Sequence, residues 1–196
     1  MKIAVIKYGS GNTLSVVNAL ARLKVGSVIT DRPEEIRSAD KVIFPGVGEA
    51  SSAMTYLNRN GLDDVVGSLT QPTLGICLGM QLLCSSSEEN QTSCIGRFRH
   101  KVRRFSEGDG KIPHMGWNCI GALKGPLFEG IMPGSRVYFA HSYFVGPCKD
   151  TIAMASYGRE ISAAIAKDNF YGVQFHPEKS GPMGMAILEN FLKLSS

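Results

Sequence analysis

The chain has 196 residues, 43% of them apolar, with a formal net charge of +4. That length suits one domain, 1–196, with enough apolar residues for a sizeable core. The mild charge argues against nucleic acid or an anionic membrane as a partner, and no apolar run is long enough to span a bilayer.

Residues 2–7 (KIAVIK) predict a short buried strand ending in the turn YGSGN, with no long apolar core followed by a cleavage site. The expected location is therefore the cytoplasm. Over 13–23, Leu14, Val17, Leu20 and Ala21 recur at helical spacing, with Asn12 placed to cap. Residues 41–48 (KVIFPGVG) read as a strand stopped by Pro45 and Gly46. Stretches 49–57 and 62–69 read as helices, 72–76 (PTLGI) as an apolar strand, and LGMQLLCSSSEE (78–89) as the start of a helix. Strands alternating with helices imply an open, mostly parallel sheet covered on both faces.

The second half changes character. Residues 95–105 alternate with period two, which places Arg97, Arg99, Lys101 and Arg103 on one face. A solvated strand face, its charge discouraging edge pairing, is the preferred reading. Stretches 136–143 and 151–157 are strand-like, and 162–178 predicts a hairpin around Lys167, Asp168 and Asn169. A helix over 183–194 closes the chain. The fold class is α/β with an antiparallel-rich second half.

Five cysteines, an odd number without a C-x-x-C pair, argue against a disulfide framework or a Cys-rich zinc site. No metal or cofactor is expected, and most of the thiols, Cys84 included, should pack as small hydrophobes. Cys77 differs. Gly75-Ile76-Cys77-Leu78-Gly79 has the G-x-C-x-G form of a nucleophile elbow, a strand-to-helix turn that exposes its middle side chain. The following helix start favours an anion there and offers the Leu78 N–H to an oxyanion.

A thiolate nucleophile needs a proton carrier, and there are four histidines. His100 lies in the basic strand and is expected to be exposed. His114 lies in the turn-rich IPHMGWN, and His141 near a strand end. His176 ends a strong apolar strand, where α/β folds place their sites. Pro177 biases it toward extended backbone, so Glu178, two residues on, can orient its ring. The FPGVG loop (44–48) follows a strand and can aim backbone N–H groups around Val47 and Gly48 into the same place.

Together PGVG, GICLGMQ and GVQFHPE resemble the class I (triad-type) glutamine amidotransferases in order and spacing. With YGSGN, SEE, PHMGWN, YFAHSY and NFYGVQFHPEKSG, the chain is similar end to end to the glutaminase subunits of imidazole glycerol phosphate synthases. The resemblance implies a flavodoxin-like sheet and a catalytic triad of Cys77, His176 and Glu178. It implies oxyanion donors at Leu78, Val47 and Gly48, and L-glutamine held by Gln81, Glu89, His141, Ser142 and Tyr143. It further implies a (β/α)8-barrel cyclase that receives the ammonia, contacted through Asn12, Trp117, Tyr138 and Lys179. One departure is Lys7, where the family often has an acidic residue. A class I glutaminase subunit serving another acceptor pathway is the alternative, against which PHMGWN and HPEKSG argue.

Overall fold

The computed structural model describes residues 1–9 and 12–195. Ser10 and Gly11 of the expected YGSGN turn lie outside the described residues. The first half runs β1 (Ile3–Ile6), α1 (Thr13–Arg22), β2 (Ser27–Thr30), α2 (Pro33–Arg37), β3 (Lys41–Gly46), α3 (Ala50–Arg59), α4 (Leu62–Gly67), β4 (Thr73–Cys77) and α5 (Leu78–Leu82). The second half adds β5 (Ser86–Ser87), β6 (Thr92–Ser93), β7 (Lys101–Arg104), β8 (His114–Cys119), β9 (Arg136–His141), β10 (Tyr143–Val145), β11 (Thr151–Tyr157), β12 (Arg159–Lys167), β13 (Phe170–Val173) and α6 (Gly181–Lys193).

Seven strands form the main sheet in the order β11-β12-β13-β4-β3-β1-β2. From β2 to β13 the neighbours are parallel, and β12 and β11 add an antiparallel edge. The alternation of β1 shows why both faces are covered. Ile3 and Val5 share a core with Val16 and Leu20 of α1 and Ile187, Leu188 and Phe191 of α6. Ala4 and Ile6 belong to the opposite core, with Ile36 of α2, Leu57 of α3, Val65 of α4 and Met80 of α5. A small sheet, β10-β7-β5-β6, and the β8–β9 ribbon lie outside the main sheet. The predicted α/β, mostly parallel class with an antiparallel-rich second half is the observed one.

Several expectations need correction. Asn12 sits at the N-cap of α1 with φ 86° and makes no side-chain cap bond. The strand at 41–48 is not stopped by Pro45. β3 continues through Gly46, which pairs with Cys77, because Pro45 lies beyond the last residue paired with β1 and only one side needs a ladder. The helix expected over 78–89 ends at Leu82. Its Ser85-Ser86-Ser87 run prefers other backbone, and β5 pairs with β6 and β7 instead. Of the alternating 95–105 run only Lys101–Arg104 is strand. Upstream, Gly96 turns the chain with φ +82°, and Arg97 lies over the Phe170 ring, 4.4 Å from its centroid. His100 is not exposed: its Nε2 meets Asp150 Oδ2 at 2.7 Å. The hairpin is as expected, with Lys167 paired to Phe170 across a two-residue turn.

Candidate active site

β4 lies between β3 and β13, so the ends of three adjacent parallel strands converge at one edge of the sheet. Cys77 ends β4, Val47 and Gly48 follow β3, and Gln174, Phe175 and His176 follow β13.

The local sequence builds the turn at Cys77. Its backbone takes φ 53° and ψ −107°, a conformation that costs an ordinary residue about 1–3 kcal/mol. Neighbouring glycines make room for it. A Cβ on Gly75 would fall 2.7 Å from the Met80 nitrogen, and one on Gly79 would fall 1.8 Å from the Phe44 carbonyl oxygen. α5 can therefore start directly against β3. As the first residue of α5, Leu78 has no intrahelical acceptor for its N–H, and it follows directly on the Cys77–Gly46 rung that ends β3.

His176 is 1% exposed and extended (φ −101°, ψ 94°), as the following proline requires. Its Nδ1–H donates to Glu178 Oε1 at 2.8 Å. The Asn12 side-chain amide donates to the same oxygen, so Asn12 supports the carboxylate and does not cap α1. Glu178 Oε2 is buried and has no hydrogen-bond partner among the described residues. Ser180 pins the segment: its hydroxyl donates to the His176 carbonyl at 2.6 Å and accepts from the Tyr138 N–H at 2.9 Å. Burial alone would lower the His176 pKa. Hydrogen bonds to Cys77 and Glu178, and the charges of both, outweigh it and push the imidazole up to about 10.

A cavity of about 200 Å³ opens at Cys77. It is lined by all eight residues expected to stabilise the oxyanion or hold substrate: Val47, Gly48, Leu78, Gln81, Glu89, His141, Ser142 and Tyr143. Glu89 reaches it with one carboxylate oxygen anchored by the Ala50 N–H at 2.7 Å. Burial raises the Glu89 pKa, opposed by that hydrogen bond, and the Glu49 charge raises it further. His141 is buried, with Nδ1–H donating to the Tyr143 carbonyl at 2.7 Å, and burial brings its pKa down to about 3.

Some lining and supporting residues escape the sequence reading. Met115 and Pro113 close one wall of the cavity from a stretch expected to be turn, and Ala140 contributes from β9. Gln174 is fully buried, with its Nε2 3.7 Å from Cys77 Sγ. It stands two residues before His176 in the quoted GVQFHPE, where the extended pattern that places Glu178 could have placed it too. The remaining expected residues lie elsewhere. Trp117, 49% exposed on β8, meets the Tyr138 ring edge-on at 6.2 Å, and Lys179 is exposed beside Glu178. Lys7 is exposed, its backbone N–H bonded to the Thr30 carbonyl at 2.9 Å. Cys84 is fully buried and its thiol pKa is raised by burial, which suits the packing role expected of it. No cluster of three or more His, Cys, Asp or Glu residues among those described could hold a metal ion. Among the described residues, no helix is long and apolar enough to cross a membrane.

Residues 4–194 match the family of class-I glutamine amidotransferases, and the chain belongs to that family. Within it, the chain is 53% identical to the imidazole glycerol phosphate synthase subunit HisH of Bacteroides fragilis over 196 residues, 99% of this chain and 100% of that one. It is 45% identical to the protein of the same name in Haemophilus influenzae, over 98% of each chain. Two solved structures share the fold. One is a glutamine amidotransferase with a TM-score of 0.77, 17% identity and 97% of each chain covered. The other is a glutamine amidotransferase from Thermotoga maritima, with a TM-score of 0.65, 15% identity, and 98% of this chain and 82% of that one covered.

Proposed function

We propose that this chain is the glutaminase subunit of an imidazole glycerol phosphate synthase. It hydrolyses L-glutamine through a thioester on Cys77 and passes the ammonia to a cyclase in histidine biosynthesis, in the cytoplasm. The observation that carries the chemistry is one juxtaposition. Cys77 stands on a strained turn at a small cavity, with the buried His176–Glu178 pair arriving from the next strand.

The steps follow from the geometry. Glu89 takes the substrate's α-ammonium, and the His141–Tyr143 segment and Gln81 shape the wall beside its side chain. The Cys77 thiolate adds to the carboxamide carbon, and the C=O electron pair moves onto oxygen. N–H groups at Leu78 and around Val47 and Gly48 receive that oxyanion. Collapse expels ammonia, which takes its proton from His176 and leaves an acyl-thioester. The ring, now neutral, removes a proton from water. The hydroxide adds to the thioester carbon, and the second collapse releases glutamate and restores the thiolate. Glu178 keeps the ring's Nε2 toward the sulfur by holding Nδ1–H.

The partner surface is Asn12, Trp117, Tyr138 and Lys179, around the back of the triad. Trp117 supplies the large, half-exposed aromatic area that interfaces favour.

The test separates the two half-reactions. Cys77→Ala, combined with a competent cyclase, should lose glutamine-dependent synthesis and keep synthesis from added ammonium salts. Loss of both would contradict the division of labour.

A further inference from the structure

Gln174 is fully buried, outside the cavity lining, and it touches the sulfur of Cys77. Which end of its amide faces the sulfur can be derived from a fixed point. The Tyr143 carbonyl can only accept, so the Gln81 amide must present nitrogen to it, at 3.0 Å. The same nitrogen lies 3.0 Å from the Gln174 amide, which must therefore present its oxygen. That leaves the Gln174 N–H directed at Cys77 Sγ, 3.7 Å away.

The second lone pair of the Tyr143 carbonyl extends the chain in the other direction. It accepts from His141 Nδ1–H at 2.7 Å. At the far end the Ser156 carbonyl accepts from Asn118 Nδ2 at 2.9 Å, so that nitrogen is a donor and His114 Nε2, 3.3 Å from it, is bare. His114 therefore carries its proton on Nδ1 and donates to His141 Nε2 at 3.0 Å. Two backbone carbonyls thus fix every donor and acceptor, and both rings must be neutral. Burial agrees, lowering the pKa of His114 to about 4 and of His141 to about 3.

We propose that Gln174 is a further catalytic residue, an amide donor that holds the Cys77 sulfur as thiolate, with Gln81 as the positioning residue that fixes its orientation. This rests on the reading of Cys77 as the glutaminase nucleophile. The physical need for such a donor is visible at the sulfur. The Ala140 carbonyl lies 3.8 Å from Sγ and can only accept, so it favours the protonated thiol. The Gln174 N–H opposes it by favouring the form that accepts. Gln81, expected to hold substrate, has both amide hydrogens committed within the protein, so its part in binding is confined to its cavity-facing surface.

The test follows alkylation of Cys77 by iodoacetamide in the whole chain, read by mass spectrometry as rate against pH, beside kcat/KM for glutamine with the cyclase present. The other titratable groups at the cavity and behind it (His176, Glu178, His141, Glu89 and Tyr143) are left untouched. Gln174→Leu should move the alkylation profile about one unit toward higher pH and lower kcat/KM about ten- to hundredfold, the size of a lost hydrogen bond to a charged group. Gln174→Glu keeps the shape and the acceptor for Gln81 but sets a carboxylate against the sulfur, so its shift should be larger. It also serves as the test if the leucine variant does not fold. Gln81→Leu should give a smaller shift in the same direction. Folded Gln174 variants with the wild-type alkylation profile would overturn the proposal while leaving the glutaminase reading intact. A wild-type chain whose Cys77 is not alkylated ahead of the other cysteines would overturn both.

Discussion

His176 carries the site's main electrostatic contrast. It is almost fully buried, yet its proton is held more tightly than in water because Cys77 and Glu178 flank it. The sign for folding follows. The ring's affinity rises from an ordinary 6.5 to about 10 on folding, so its protonation contributes stability that is complete below 6.5 and lost as pH rises through about 10. Glu178→Gln removes one of the two groups holding the proton. It should lower that upper midpoint, and it should reduce kcat about ten- to hundredfold by leaving the ring poorly oriented. NMR titration of the His176 ring beside a glutaminase pH profile checks both; an unchanged midpoint would mean that Cys77 alone sets it. At this scale a role is legible in the sequence wherever it has a local signature. G-x-C-x-G and His-Pro-Glu announce Cys77, His176 and Glu178 through glycine spacing and backbone bias. Asn12 stands in the right place for a cap and serves another purpose, because its partner Glu178 is 166 residues away. Gln174 shares the alternation that places Glu178, but its role as a donor, like that of His114, depends on polarity transmitted from distant carbonyls.

Elements show a similar division. β1, β3 and β4 are buried along their whole length, and their apolar runs are plain in the sequence. β2 is an edge strand with only Thr30 fully buried, and α2 spans five residues; neither has enough period to stand out from its neighbours. β8 has only His114 buried and then alternates exposed and half-buried positions in HMGWNC, while Pro113 and Gly116 in PHMGWN read as a turn. What makes it a strand is antiparallel pairing with β9, from His114–His141 to Cys119–Arg136. The contact between α5 and β3 is the tightest constraint that elements impose on the site. Gly79→Ala would place a methyl 1.8 Å from the Phe44 carbonyl oxygen, and backbone cannot yield as a side chain tip can. We expect a loss of about 3 kcal/mol or more in denaturant unfolding, or no folded protein. Wild-type stability in that variant would mean that α5 is free to shift. Phe44 lies fully buried in the core beneath, and Phe44→Ala should cost about 3–5 kcal/mol in the same measurement.

At the scale of the whole molecule, the sheet order explains how residues from sequence positions 47, 77 and 176 meet: β3, β4 and β13 are neighbours although β13 is the last strand. The same arrangement leaves Trp117 on the β8–β9 ribbon half exposed beside Tyr138, with the segment carrying His176 bonded to Tyr138 from behind. If that face receives the cyclase, Trp117→Ala should change the chain's own stability by no more than about 0.5 kcal/mol. Its binding to the cyclase, measured by calorimetry, should weaken by about 2 kcal/mol or more. Unchanged affinity would move the interface elsewhere. The most direct measurement is glutamate release from L-glutamine by this chain, alone and then with the cyclase and its nucleotide ligand. Strong stimulation by that pair, abolished in Cys77→Ala, is the predicted result. Folded protein that releases no glutamate with a competent cyclase, or releases it equally well without Cys77, would contradict it.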